Sequence, residues 1–338
     1  MAMAGKKKVR AALIGFGGMG HFHASCYAKQ KDVELVAICD IDEKKFAEKK
    51  AQINLGASGE TSLRKITLCT SYEELTANVQ FDMLDICLPC HLHAEYAIRA
   101  MEDGYHVLCE KPMARTSEQA EKMIEVSKKT GKKLMIAQCL RFMPSYCYLK
   151  DVIESGEFGS LLRLDMRRNG ALPDRLWYHD FEKSGGALLD LHLHDTDFIN
   201  SVLGAPESVH CYGIARQTGG VDDLMTAYTY KDGPIVNSEG SWCKGVWHCS
   251  TIAVFQNATV ELNGTAEAIV YLVDNPKPQK VKFRKSLANA YFNEIAYFAA
   301  CVRKGEEITV CTPESTLLSI RIAEAEEKSA RTMKRVKL

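Results

Sequence analysis

Through the first 140 residues, short apolar runs alternate with amphipathic segments, the rhythm of βαβ units around a parallel sheet. Val9 to Ile14 reads as a strand, followed by a glycine turn and a helix to about Gln30. Val33 to Cys39 is a second strand, and Phe46 to Ile53 lies on a second helix. Gly56 to Lys65, made of Gly, Ser, Thr and charges, reads as a loop. Ser71 opens a short helix, with Glu74 at capping-box spacing. Strands are expected over Met83 to Leu88, Val107 to Cys109 and Lys133 to Gln138. Helices are expected over Ala94 to Asp103 and Ser117 to Thr130, stopped by Gly104 and Gly131. The pattern predicts a doubly wound α/β sheet of about six strands.

After residue 140 the rhythm changes. Helices at about Ser145 to Glu154 and Gly186 to Leu203 interrupt a run of long strands. Those strands cover Leu161 to Arg168, Ser208 to Arg216, Met225 to Tyr230, Ile235 to Trp242, Cys249 to Phe255, Thr259 to Leu262, Ala268 to Val273 and Val281 to Arg284. Turns such as Asp232-Gly233-Pro234 and Asn263-Gly264 separate them, so this second sheet is expected to be large, open and mostly antiparallel. Two helices, Tyr291 to Lys304 and Pro313 to Arg331, close the chain. The expected division is a Rossmann domain over residues 1–139 and an α+β substrate and oligomerisation domain over 140–338, whose last helix packs back on the first.

Composition changes little in this picture but closes several doors. A length of 338 residues suits about two domains, and 46% hydrophobic with 25% charged residues excludes a disordered or fibrous chain. Lys plus Arg (43) balances Asp plus Glu (43), so no global field recruits nucleic acid or an anionic membrane. No apolar stretch approaches the roughly 18 residues of a membrane span, and the basic Lys6-Lys7-Lys8 start lacks a signal-peptide cleavage site. Thirteen cysteines, an odd number without framework spacing, point to a reducing, cytoplasmic compartment. Cys39, Cys87, Cys109 and Cys139 sit in apolar runs as small buried hydrophobes. Cys87 to His93 has zinc-type ligands, but no second ligand pair follows, so no metal is expected.

Chemistry enters with the first turn. Gly15, Gly17 and Gly20, within Gly15-Phe16-Gly17-Gly18-Met19-Gly20, have the G-x-G-x-x-G spacing between a strand and a helix. Such a loop lets a pyrophosphate rest on helix N–H groups. Asp40, twenty residues after Gly20 at the end of the next strand, would accept hydrogen bonds from an adenosine ribose diol and repel a 2′-phosphate. Asp42 and Glu43 follow, and no arginine stands ready for a phosphate, so NAD is favoured over NADP.

Val107 to Pro112 places Glu110 and Lys111 just past a strand's carboxyl end, the edge that faces the ligand crevice in an open parallel sheet. Further on, Asp190, His194 and Asp197 fall at i, i+4 and i+7 of a helix that Leu188, Leu189, Leu191, Leu193, Phe198 and Ile199 make apolar nearly all round. Acids and histidines in a buried helix need partners or a function. His192 lies about 200° round the helix from Asp190 and should look elsewhere.

The glycine loop, the His-bearing turn, Glu110-Lys111-Pro112, and Gly185-Gly186 followed by Leu188, Asp190 and His194 together resemble the Gfo/Idh/MocA family of sugar and cyclitol oxidoreductases. Leu140-Arg141-Phe142 with Pro144, and Cys311-Thr312-Pro313-Glu314, extend the likeness along essentially the whole chain. The resemblance implies Lys111, Asp190 and His194 as catalytic residues, and His192 departs from the family's small residue. It also implies cofactor contacts from Leu88, Pro89, His93 and Glu110, beside the glycine loop with Phe16, Gly18 and Met19, and Asp40. Arg141, Trp177 and Tyr178 are implied in the substrate wall, His248 as a weaker candidate for it, and homodimers or homotetramers as the assembly. Among the other histidines, His21 and His23 after the loop read as structural. The expected activity is hydride transfer between a secondary hydroxyl and NAD, with His194 as base. A glycosidase that recycles NAD in place and a non-catalytic sugar or NAD sensor are the alternatives.

Overall fold

The computed structural model describes residues 8–47, 50–52, 58–60, 62–263, 267–283 and 290–338. They divide into two compact units. The first runs to Met113 and includes Gln119–Ala137 and Tyr291–Pro313; the second holds Ala114–Glu118, Gln138–Ala290 and Glu314–Leu338.

In the first unit, β1 (Val9–Ile14) is followed by α1 (Gly18–Tyr27) and β2 (Val33–Cys39). Lys50–Gln52 (β3) and Ser58–Glu60 (β4) form an antiparallel ribbon. Then come β5 (Thr67–Cys69), α2 (Tyr72–Asn78), β6 (Met83–Ile86), α3 (His93–Glu102), β7 (His106–Glu110), α4 (Ser117–Thr130, in this unit from Gln119) and β8 (Leu134–Ala137). The sheet order is β5-β2-β1-β6-β7-β8, and every pairing in it is parallel. β6 and β8 are buried at every position, which is why they read as unbroken apolar runs. Ser71 caps α2 as expected, its hydroxyl accepting from the Glu74 N–H.

The expected helix over Phe46 to Ile53 does not form. Glu43–Ala47 is a single 3-10 turn, and the chain then enters β3. Part of the expected loop over Gly56 to Lys65 is β4. The remaining positions of those two expectations at 48, 49, 53–57 and 61 lie outside the described residues, as do Lys6, Lys7, Gly264 and Arg284.

The second unit is built on a nine-stranded sheet in the order β16-β15-β14-β13-β9-β12-β11-β10-β17. After α5 (Pro144–Ser155) its strands are β9 (Leu161–Ala171), β10 (Ser208–Ile214), β11 (Asp223–Thr229), β12 (Ile235–Ser241), β13 (Cys243–Phe255), β14 (Ala258–Leu262), β15 (Glu267–Leu272), β16 (Asn275–Lys282) and β17 (Val336–Lys337). Only β9 and β12 pair in parallel. β13 starts six residues before the expected strand, because Cys243–His248 are exposed and leave no alternation to read. Between β9 and β10 lie a short helix, α6 (Phe181–Ser184), and α7 (Leu193–Leu203). The expected continuous helix from Gly186 is interrupted: Leu188–His192 forms a π-helical turn ahead of α7. Two helices close the chain. It is α8 (Ala290–Lys304) that belongs to the first unit from Tyr291 onward, whereas α9 (Pro313–Thr332) belongs to the second from Glu314.

Among the described residues, no helix is long and apolar enough to cross a membrane. All thirteen cysteines are free thiols. Thiol titration of the unfolded chain without prior reduction should therefore count about thirteen groups, and reductant should leave the melting temperature of the native protein unchanged. A titre short by pairs would mean disulfides form.

Candidate active site

β1 delivers the chain into a turn that only glycine can make at its first position. Gly15 has φ +93°, and a Cβ there would lie 2.6 Å from the Cys87 carbonyl oxygen. A Cβ on Gly20 would run into the Gly15 carbonyl, so α1 and the loop touch backbone to backbone. α1 begins at Gly18 with Gly17 as its cap residue, no side-chain cap bond and no acid in its first turn. A helix start of this kind offers N–H groups and the positive end of the dipole to an anion. The loop therefore fits the pyrophosphate of a dinucleotide. Phe16 takes a different part from the one expected. It is buried, stacks on His21 at 3.7 Å, and donates its N–H to Asp40 Oδ2 at 2.7 Å.

Asp40, at the end of β2, also accepts from the Asp42 N–H on Oδ1 at 2.9 Å. Lys45, on the 3-10 turn, donates to both Asp40 oxygens at 2.9 Å. No arginine follows Asp40, as expected, but this lysine fills the same neighbourhood. Nothing in the sequence signalled it, because the expected helix began only at Phe46 and the 3-10 turn that folds Lys45 back carries no period.

Beneath the loop lies a buried charge cluster. His23, on the second turn of α1, places Nδ1 2.9 Å from Asp85 Oδ2 on β6 and Nε2 3.0 Å from Glu110 Oε1 at the end of β7. Tyr27 donates to the same Asp85 oxygen at 3.0 Å, and the Cys87 thiol to Oδ1 at 3.7 Å. Burial alone would lower the His23 pKa, but the Asp85 carboxylate outweighs it and holds the ring well above the usual histidine range. A ring facing two carboxylates can donate to both only as imidazolium. Burial likewise opposes ionisation of Glu110, and the His23 hydrogen bond overcomes it, so Glu110 is held low. Glu294 on α8, fully buried beside them, is pushed well up by burial and by the Glu110 charge. His23 was expected to be structural, and its role here is to hold two carboxylates at once.

Glu110 Oε2 accepts the Lys111 backbone N–H at 3.0 Å, so the expected cofactor contact turns inward and fixes the base of the half-buried lysine. Leu88 and Pro89 lie half-buried on the turn after β6. His93, at the start of α3, faces the carbonyls of Leu88 (2.8 Å) and Pro112 (2.7 Å). Burial pushes its pKa down and those carbonyls restore it only in part. The neutral ring can donate to only one of these carbonyls at a time, and it packs between the Leu88 and Lys111-Pro112 turns.

In the second unit the polar residues of the π turn and α7 sort themselves by partner. His192 Nε2 lies 3.1 Å from both Tyr228 Oη and Glu326 Oε1, which makes it a buried packing histidine. Asp195 pairs with Arg168 at 2.7 Å. Asp197 accepts two bonds from Arg141, at 2.8 and 2.7 Å, and one from Ser319. Arg141 also donates to Ser315 and its side chain is only 5% exposed. Arg141 was expected in the substrate wall and is instead an internal strut, because its guanidinium is committed to Asp197 and Ser315. Asp190 lies on the π turn and His194 on the first turn of α7, with His194 Nδ1 3.8 Å from the Cys139 thiol. Trp177 and Tyr178 stack at 3.8 Å, half-buried, and Tyr178 meets the buried Trp242 edge-on. His248 is exposed on β13 beside Ser250.

The model of an oxidoreductase family with an NAD-binding Rossmann fold matches residues 9–138, and the same family's C-terminal domain matches residues 146–270. Myo-inositol 2-dehydrogenase of Thermotoga maritima is 25% identical over 342 residues, covering 98% of each chain. D-glucoside 3-dehydrogenase of Escherichia coli is 31% identical over 214 residues, 62% of this chain and 58% of that protein. Levoglucosan dehydrogenase, solved with NADH and levoglucosan, superposes with a TM-score of 0.85 at 20% identity, covering 98% of this chain and 99% of that one.

Two outcomes follow from this geometry. Gly20→Ala should lower NADH affinity at least tenfold by forcing α1 off the Gly15 carbonyl, whereas Gly245→Ala, in open space, should not. Fluorescence titration checks this, and equal affinities would refute the close packing. The second outcome concerns pH. His23, whose folded pKa lies above its unfolded value near 6.5, adds its full stabilisation below about pH 6 and loses it as pH rises toward the folded value. Relative to His23→Gln, the folding constant of the native chain should then fall by up to about tenfold per pH unit above about pH 6.5. Urea unfolding from pH 6 to 9 measures the difference, and a flat difference would mean a neutral ring.

Proposed function

Because the chain belongs to the Gfo/Idh/MocA family of NAD-binding oxidoreductases, we propose that it interconverts a secondary alcohol and a ketone on a sugar, glycoside or cyclitol. The observation that carries this reading is a loop built for a dinucleotide with Lys111 anchored, through Glu110 and His23, in the same unit. The named activities of the inositol, glucoside and levoglucosan relatives support the substrate class.

NAD, when bound, exchanges a hydride with the substrate carbon at nicotinamide C4. The chain's own residues manage the oxygen and its proton. His194 takes the hydroxyl proton, a task suited to an imidazole's titration range. Lys111 Nζ hydrogen-bonds the same oxygen and stabilises the charge that develops on it. Asp190 orients the substrate hydroxyls. Trp177 and Tyr178 offer an aromatic face to the C–H side of a sugar ring. Leu88 and Pro89 line the nicotinamide ribose on a turn held by His93. Thirteen free thiols support a cytoplasmic setting. Tyr212 and Met225, paired across β10 and β11 and about half exposed, support homodimers or homotetramers formed through the open sheet face.

A panel of inositols, hexoses and glycosides scored by NADH absorbance tests the reading. Product formed without NADH in solution would favour in-place recycling of NAD and a glycosidase. With an active substrate, His194→Ala should lower turnover roughly a hundredfold or more. Lys111→Ala should be at least as damaging, and both variants should still bind NADH. His192→Ala should instead lower stability by about 1–3 kcal/mol, leaving Tyr228 and Glu326 short of a partner, with turnover little changed. Loss of turnover in His192→Ala with retention in His194→Ala would overturn the assignment.

A further inference from the structure

A carboxylate has about four acceptor positions, two on each oxygen. On Asp40 all four are taken: Oδ1 by the Asp42 N–H and Lys45, Oδ2 by the Phe16 N–H and Lys45. The two backbone donors hold the glycine loop and the turn after β2, and they cannot leave without moving the chain. The positions that can be vacated are the two under Lys45. Its side chain is one-third exposed, so it can swing into solvent, while its place on the Glu43–Ala47 turn keeps the ammonium within reach.

A ribose diol brings two O–H donors and needs those same two positions. NAD binding at Asp40 is therefore an exchange in which two hydroxyls displace an ammonium. NADP brings no such pair of donors, but its 2′-phosphate brings acceptors for the displaced lysine. We infer that Lys45 selects the cofactor: it competes with the NAD ribose for Asp40 and pairs with the 2′-phosphate of NADP, so the chain's preference for NAD is smaller than Asp40 alone would set. The inference rests on the reading of the Gly15–Gly20 loop and Asp40 as a dinucleotide site.

Fluorescence titration of the full chain with NADH and NADPH tests it, with melting curves confirming that each variant is folded. Lys45→Met should bind NADH as tightly as wild type or a few-fold tighter and NADPH at least fivefold more weakly, widening the ratio of the two constants about tenfold. Lys45→Arg should keep NADPH affinity near wild type. Asp40→Ser removes the repulsion and makes NADPH binding measurable even if wild type binds it poorly. In that background Lys45→Met should cost NADPH at least tenfold and NADH less than twofold. Equal weakening of both cofactors by Lys45→Met would assign Lys45 to holding Asp40 in place and overturn the inference. So would a ratio within twofold of wild type in both backgrounds. Failure of wild type to bind either cofactor would overturn the dinucleotide reading itself, and this inference with it.

Discussion

An imidazolium clamped between two buried carboxylates ties together the parts of the first unit on which its chemistry depends. His23 belongs to α1, whose first turn follows the glycine loop. Asp85 belongs to β6, and Glu110 ends β7 one residue before Lys111. One side chain therefore sets the position of the pyrophosphate loop relative to the lysine. Taking such charges out of water is costly, but removing one partner costs more, typically 3–5 kcal/mol, because the others are left uncompensated. The charges alternate from Asp85 through His23 to Glu110, and Glu294, which burial pushes toward the neutral acid, adds no further negative charge. Glu110 spends one oxygen on His23 and the other on the Lys111 N–H, so the bridge also fixes the backbone at the lysine.

This bridge illustrates what a single sequence withholds. The glycine loop, Asp40 and the strand ahead of Lys111 were legible because each is a local pattern: glycine spacing, an acid at a strand end, an apolar run. The helices α3 and α4 were legible because their buried residues fall on one face, Ala94, Ala97 and Met101 in one and Ala120, Met123 and Ile124 in the other. His23 had no such signal, since its partners lie 62 and 87 residues away. β3 and the first half of β13 were missed for the opposite reason: charged or exposed stretches carry no period for either helix or strand.

The π turn defeated a different kind of argument. Placing Asp190, His194 and Asp197 on one face assumed a uniform 3.6-residue helix. A π turn holds more residues and shifts the phase of whatever precedes it, and Leu188 to His192 is apolar enough to suit either geometry. The turn changes the phase of Asp190 relative to α7, where Asp197 faces Arg141 and Ser319 in the interior; Asp190 and His194 are each 8% exposed. His192, Asp195 and Asp197 are at most 1% exposed and each meets a buried partner. Apolar packing around Ala187, Leu191 and Trp242 holds the turn. His192, Asp195 and Asp197 thus serve the packing of the unit through their buried partners.

The same accounting of partners changes the meaning of Asp40. An acid at the end of the second strand is ordinarily read as a ribose acceptor whose charge excludes a 2′-phosphate. That logic treats the carboxylate as bare. Here it already carries two backbone donors and an ammonium, so its charge is paired with Lys45 before any nucleotide arrives. Repulsion of a phosphate is then reduced by the lysine's charge, and attraction of a diol is reduced by the bonds it must replace. Cofactor preference becomes a difference between two competitions for one carboxylate, and the residue that decides it is found by following the acid's hydrogen bonds rather than the acid's own identity.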